Sequence, residues 1–152
     1  MAVLGVSHVA VGVADMDRAL AFYRDLVGLQ VDLDIEEAGF GRNRDQRRRA
    51  VYLRSPDEAG PHRSFIVLDQ QLTREPFGTP PRLFQLGTHH FSFWVDDLEA
   101  RLQRIVDAGF SVIVPPSVAD AAAYGEEKGS GKYLTAIVRD ADGNPVQFDQ
   151  KL

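Results

Sequence analysis

Two histidines in this chain, His8 and His90, stand in matching contexts. Each opens an alternating apolar run, His8-Val9-Ala10-Val11-Gly12-Val13 and His90-Phe91-Ser92-Phe93-Trp94-Val95, and each is followed seven residues on by an aspartate, Asp15 or Asp97. Successive strand side chains point to opposite faces, so His8, Ala10 and Gly12 oppose Val9, Val11 and Val13, and His90, Ser92 and Trp94 oppose Phe91, Phe93 and Val95. An imidazole set among small side chains makes a poor core and a plausible cavity wall. Neutral imidazole is also a common metal ligand, so both histidines read as ligands or ligand-facing groups. Cysteine is absent, which leaves any metal to His, carboxylate or amide groups. Gln147, facing the interior of a late strand, needs hydrogen-bond partners there and reads either as a metal ligand or substrate contact or as a plain strand residue. His89 falls on the apolar face and reads as a structural histidine with a backbone partner. His62, Tyr133, Glu126, Glu127 and Lys132 lie on or beside loops within reach of such a cavity, and are candidates for proton transfer or substrate binding against the alternative of exposed loop polars.

The elements that must position these groups occur twice. Asp15 and Asp97 are good N-caps, and each opens an amphipathic segment that stops at a glycine. One helix is expected over about residues 15–28, with Ala19, Phe22, Tyr23 and Leu26 on its apolar stripe; the other spans about 97–109, with Leu98, Leu102, Ile105 and Val106. Strands follow each helix, at about 31–35, 50–53 and 64–68, then at 112–114, 134–139 and 145–148, the last two joined by the turn Asp140-Ala141-Asp142-Gly143-Asn144. The chain is therefore α+β, built from two strand-helix-three-strand repeats, over about residues 1–69 and 86–152, with a linker at about 70–85 that carries Pro76, Gly78, Pro80 and Pro81. A unit that cannot bury its sheet alone pairs with its sibling, which makes residues 1–152 one domain. Residues 115–132, with two prolines and three glycines, read as a lid.

A formal net charge of −5 argues against nucleic acid and anionic membrane as partners, since phosphate binding needs a broad basic surface. No apolar run approaches spanning length and no secretory leader is recognisable, so a cytoplasmic protein is expected. Arg42, Arg44, Arg47, Arg48 and Arg49 form a basic run that reads as a solvated hairpin tip or as a guanidinium patch for an anionic substrate.

Three segments carry a family resemblance: His8-Val9-Ala10-Val11 with Asp15 and Ala19-Leu20-Ala21-Phe22-Tyr23; His90-Phe91-Ser92-Phe93 with Asp97; and the run from Asp140 through Gly143-Asn144-Pro145-Val146-Gln147-Phe148. In these the chain resembles the vicinal oxygen chelate superfamily, which includes glyoxalase I, bleomycin and fosfomycin resistance proteins and type I extradiol dioxygenases. The resemblance implies paired βαβββ units forming one half-open, mixed, barrel-like sheet around a cavity. It implies a divalent metal ion, Fe, Mn, Zn or Ni, held by a His of the first strand, a His of the fifth and a Glu of the last. Those positions are His8, His90 and Gln147, so an amide stands where the family carries a carboxylate; glyoxalase I has a Gln among its ligands. His62 lies near the active-site His of the dioxygenases, and Tyr133 joins it as a candidate catalytic residue. The implied function is a metal-dependent lyase, isomerase or dioxygenase-like enzyme acting on a small oxygenated organic substrate. The alternative, favoured by Gln147, is a metal-free protein that sequesters a drug or metabolite. A half-open sheet leaves edges to be paired, so a homodimer is expected.

Overall fold

The computed structural model describes residues 2–38 and 45–152. Along the chain run β1 (His8–Val13), α1 (Met16–Leu20), β2 (Gln30–Ala38), β3 (Arg47–Arg54) and β4 (Phe65–Gln71), then β5 (Phe91–Trp94), α2 (Leu98–Asp107), β6 (Val112–Asp120), β7 (Lys132–Arg139) and β8 (Pro145–Lys151). The strands form two four-stranded sheets, ordered β1-β4-β3-β2 and β5-β8-β7-β6. In each, the first strand pairs in parallel with the last, and the other pairings are antiparallel. This is the α+β fold of two βαβββ repeats that the sequence predicts, and the chain divides into compact units at residues 1–78 and 79–152. No helix among the described residues is long and apolar enough to cross a membrane.

In the first unit α1 packs against β4, the parallel partner of β1, and its buried Met16, Ala19 and Leu20 join Val11, Val13, Val51, Leu53, Ile66 and Leu68 in a core. The Asp15 carboxylate accepts from the Arg18 amide at 3.0 Å, as an N-cap does. Past Leu20 the helix widens into a π-helical turn over Ala21–Leu26, where the Val27 amide reaches back to the Phe22 carbonyl at 2.9 Å. The added residue per turn carries Val27 into the core beside Phe22 and Tyr23. Gly28 then turns the chain at φ +87°, a conformation that only glycine adopts without strain.

The second helix differs from the expected one in two respects. The Asp97 carboxylate makes no cap hydrogen bond; it pairs instead with Arg101 at 2.8 Å and with Arg104 at 3.3 Å. The Leu98 amide is satisfied from β8, by Gln150 Oε1 at 2.9 Å. Val106 leaves the expected apolar stripe and is exposed, because Leu98 and Ile105 are the residues that α2 sets against β7 and β8, over Ala136, Val138, Val146 and Phe148. The expected lid is also largely regular. β6 continues through Pro115 and Pro116 at a register break between Val114 and Ser117, tolerated because β6 is an edge strand. The turn beyond it, a 3₁₀ segment over Ala121–Tyr124, is held by Asp120, whose carboxylate accepts from the Ala122 and Gly129 amides.

Arg47, Arg48 and Arg49 lie in β3 rather than at a hairpin tip; Arg42 and Arg44 lie outside the described residues. The three strand arginines alternate faces and each meets carboxylates: Arg47 meets Glu36, Arg48 meets Glu37 and Asp69, and Arg49 meets Asp34 and Asp17. They staple β2 to β3 and β4 rather than offering a bare anion patch. Arg48 is the most enclosed, with 14% of its side chain exposed. Burial pushes the Asp69 carboxyl up, against the opposing pull of Arg48. The Arg48→Met variant leaves two carboxylates facing an apolar side chain, and should lose about 1–3 kcal/mol of stability at neutral pH. Because folded Asp69 then takes up its proton at higher pH than the unfolded chain does, the deficit shrinks as pH falls toward 3.8, which urea titrations at several pH values measure.

Candidate functional site

In the first unit, the face of β1 away from α1 carries His8. It is exposed and stacks on Phe65, its partner across the parallel pair, with ring centroids 4.8 Å apart and planes 10° from parallel. Phe65 also lies 5.6 Å from the Tyr52 ring and 5.0 Å under the Arg54 guanidinium. The Ser7 hydroxyl stands 2.9 Å from His8 Nδ1; when Nδ1–H donates to it, Nε2 carries the lone pair that can take a ligand. His62 sits in the turn between β3 and β4 and is exposed.

In the second unit, His90 immediately precedes β5, with its Nδ1 2.7 Å from His89 Nδ1. Two lone pairs do not approach so closely, so one ring donates its Nδ1–H to the other. When His90 is the donor, its Nε2 carries the lone pair a metal needs. The expected backbone partner of His89 is thus replaced by a ring partner, and the Phe84 ring stands 5.9 Å from that of His89. Burial, and then His89, holds the His90 imidazole below its ordinary pKa, against the opposing pull of Asp149. His90 is therefore neutral at pH 7, the form that ligates.

Gln147 pairs with Ser92 across the parallel β5–β8 ladder, and its Nε2 lies 2.9 and 3.1 Å from the two carboxylate oxygens of Asp149. Asp149 is 3% exposed and also accepts from the Tyr124 hydroxyl at 2.6 Å and from the Ser92 hydroxyl. Burial, and then Asp149, pushes the Tyr124 phenol up to about 12. Tyr124, Tyr133 and Trp94 form an aromatic wall, with ring centroids 4.2 to 5.7 Å apart. Trp94 is 66% exposed, an uncommon disposition for so large an apolar ring. Tyr133 donates its hydroxyl to Glu126 at 2.8 Å, and that bond raises the phenol's pKa, so it is a protonated donor at neutral pH.

Of the residues singled out from sequence, His90, Gln147 and Tyr133 therefore belong to the second unit, while His8 and His62 belong to the first. Asp149 and Tyr124 are functional candidates that the sequence reading passed over. The available signal was alternation, since Asp149 is two residues beyond Gln147 and must share its face. Among the described residues no three His, Cys, Asp or Glu side chains gather as a ready-made cation site, so the donors on offer are imidazoles and an amide.

A family model described as the Glyoxalase/Bleomycin resistance protein/Dioxygenase superfamily matches residues 5–148. No curated protein matches the sequence. Among solved structures, a glyoxalase family protein from Bacillus cereus aligns with a TM-score of 0.77 at 18% identity, covering 100% of this chain and 97% of its own. A lactoylglutathione lyase from Agrobacterium tumefaciens aligns at 0.58 and 20% identity, covering 98% and 95%. A fosfomycin resistance protein from Mesorhizobium loti aligns at 0.58 and 15%, covering 97% and 91%. At these identities the likeness shows the fold alone.

The depressed pKa of His90 fixes a pH dependence. The folded state resists protonating His90 while the unfolded chain accepts the proton near 6.5, so stability is present above that value and is lost as pH falls below it. In His90→Gln this component vanishes. Stability measured by denaturant titration from pH 7 to 5 should decline less steeply in the variant than in the wild type.

Proposed function

The chain belongs to the Glyoxalase/Bleomycin resistance protein/Dioxygenase superfamily, and from that premise we propose that residues 1–152 act as one metal-dependent enzyme domain, a lyase, isomerase or dioxygenase-like catalyst for a small oxygenated organic substrate. The observation that carries the reading is the state of three side chains. With Nδ1–H of His8 donating to Ser7, Nδ1–H of His90 donating to His89 and the Gln147 amide nitrogen donating to Asp149, the atoms left to ligate are Nε2, Nε2 and Oε1. This donor set fits a divalent cation of the Mn, Fe, Zn or Ni type, whose chemistry when bound is Lewis-acid polarisation of substrate oxygens. The chain's own residues then take the other tasks. Neutral His90 is fixed in orientation by His89, Tyr133 holds a proton with Glu126 behind it, and Trp94 offers a ring face to an unsaturated or aromatic substrate. His62, on an exposed turn, is a candidate for proton transfer to solvent.

A second reading rests on the exposed Trp94 beside Tyr124 and Tyr133. An aromatic wall of this kind suits a metal-free protein that sequesters an organic ligand by stacking. Metal content of the purified protein, with calorimetric titration of Mn(II), Ni(II) and Zn(II), separates the two. On the metal reading the wild type binds one cation per chain and His8→Ala and His90→Ala each weaken it by about a hundredfold or more; a wild type that takes up none of these ions sinks it. Thermal stabilisation by flat aromatic compounds, unaffected by chelator and lost in Trp94→Ala, supports the second reading.

We also propose that the protein is a cytoplasmic homodimer, because β1 and β2, and β5 and β6, are the edges of their sheets and exposed edges tend to be paired. Sedimentation equilibrium at micromolar concentrations should give twice the chain mass, and a chain-mass value overturns it.

A further inference from the structure

The two repeats place a carboxylate at the same register and treat it differently. Asp69 pairs with Gly12, four residues past His8, and Asp149 pairs with Trp94, four residues past His90. Across the next ladder Asp69 faces Ala50 and Asp149 faces Thr135. Two residues before Ala50 stands Arg48, which pairs with Asp69 at 2.6 Å; two residues before Thr135 stands Tyr133, which carries no charge to offer. Asp149 is buried on neutral donors alone, the hydroxyls of Ser92 and Tyr124 and the amide of Gln147. Among the described residues it has no ion pair, and Lys151 sets its ammonium 5.8 Å over the Tyr133 ring instead. Burying a carboxylate without a cation is costly, and buried charges are as a rule paired or used to coordinate metals.

The Gln147 amide shows where that cation would stand. Its NH₂ faces both Asp149 oxygens, an orientation that chemistry enforces, since the alternative sets a carbonyl oxygen against a carboxylate. Its Oε1 is consequently turned away. Donation to a carboxylate also draws electron density through the amide onto Oε1, which strengthens it as a ligand. We propose that Asp149 is the positioning residue for Gln147, and that the pair acts as a divided ligand in which the amide oxygen meets a divalent cation while the carboxylate behind it supplies the negative charge the family places at position 147. This rests on the metal reading given above.

The test is a cycle of Mn(II) affinities by calorimetry on the full chain, for the wild type, Asp149→Asn, Gln147→Glu and the double variant, with thermal melts of each metal-free protein. Asp149→Asn should weaken Mn(II) by about ten- to a hundredfold, within the range that outer-sphere groups command. Adding Gln147→Glu to Asp149→Asn should recover most of that loss, because the new ligand carries its own charge; a residue that merely holds the fold would not be rescued from position 147. In the wild-type background Gln147→Glu sets two carboxylates together, so it should lower the metal-free melting temperature and regain it on Mn(II) addition. Equal Mn(II) affinity in the wild type and Asp149→Asn overturns the divided ligand and leaves the metal reading standing, whereas a wild type that binds no Mn(II) overturns both. If Asp149→Asn does not fold, the Gln147 side-chain amide in the ¹⁵N spectrum of the metal-free wild type decides: protons that exchange with solvent much more slowly than those of a free glutamine amide uphold the clamp, and protons that exchange as fast as those of a free amide overturn it.

Discussion

In each repeat the first strand pairs in parallel with the last, and this pairing fixes what every other side chain can do. A strand has two faces, and a slip of one residue would exchange them. With Val11 and Val13 committed to the face beneath α1, and Val146 and Phe148 to the face beneath α2, the register is locked by burial. His8 and Gln147 are thereby held on the opposite faces, along with Asp69 and Asp149. The chemistry-bearing side chains are a by-product of the core's demand for apolar partners, and the helices hold them in place without touching them.

The same register exposes a difference between the repeats that has electrostatic consequences. The first is cross-stapled by arginines, so its half-buried Asp69 sits against a guanidinium and its open face is spent on internal ion pairs. Among the described residues, the second has no such cation at the matching carboxylate. It uses hydroxyls and an amide, keeps its aromatic rings on that face, and leaves Trp94 to solvent. Among the described residues, duplication thus yields one half whose carboxylate is met by a guanidinium and one whose carboxylate is met by neutral donors, and the residues that make the distinction are Arg48 and Tyr133 at equivalent positions.

Much of the fold was legible in the sequence because it depends on local periodicity. The period-two runs after His8 and His90, the Asp15 cap, the glycine stops and the Asp140 to Asn144 turn are each set by neighbours close along the chain, and they specify two βαβββ units. The candidate site was legible only as far as the faces: His8, His90 and Gln147 could be assigned a side from alternation, and Tyr133 and His62 a neighbourhood.

What the tertiary structure decided is how polar groups found partners distant in sequence. Asp97 has the residue type of a cap, yet its carboxylate is taken by Arg101 and Arg104, and the Leu98 amide is satisfied by Gln150 from β8. The arginine run has the composition of a solvated tip, yet Arg47, Arg48 and Arg49 are drawn into a strand by acids of β2, β4 and α1. His89 falls on the apolar face of the alternating pattern and has a histidine ring as its partner in space. Asp149 is one acid among many until β5, β8 and the turn at Tyr124 converge on it. Apolar patterning acts through nearest neighbours and so is written along the chain, whereas a buried charge is satisfied by whatever donors the folded chain brings within about 3 Å, and those are set only when the strands pair.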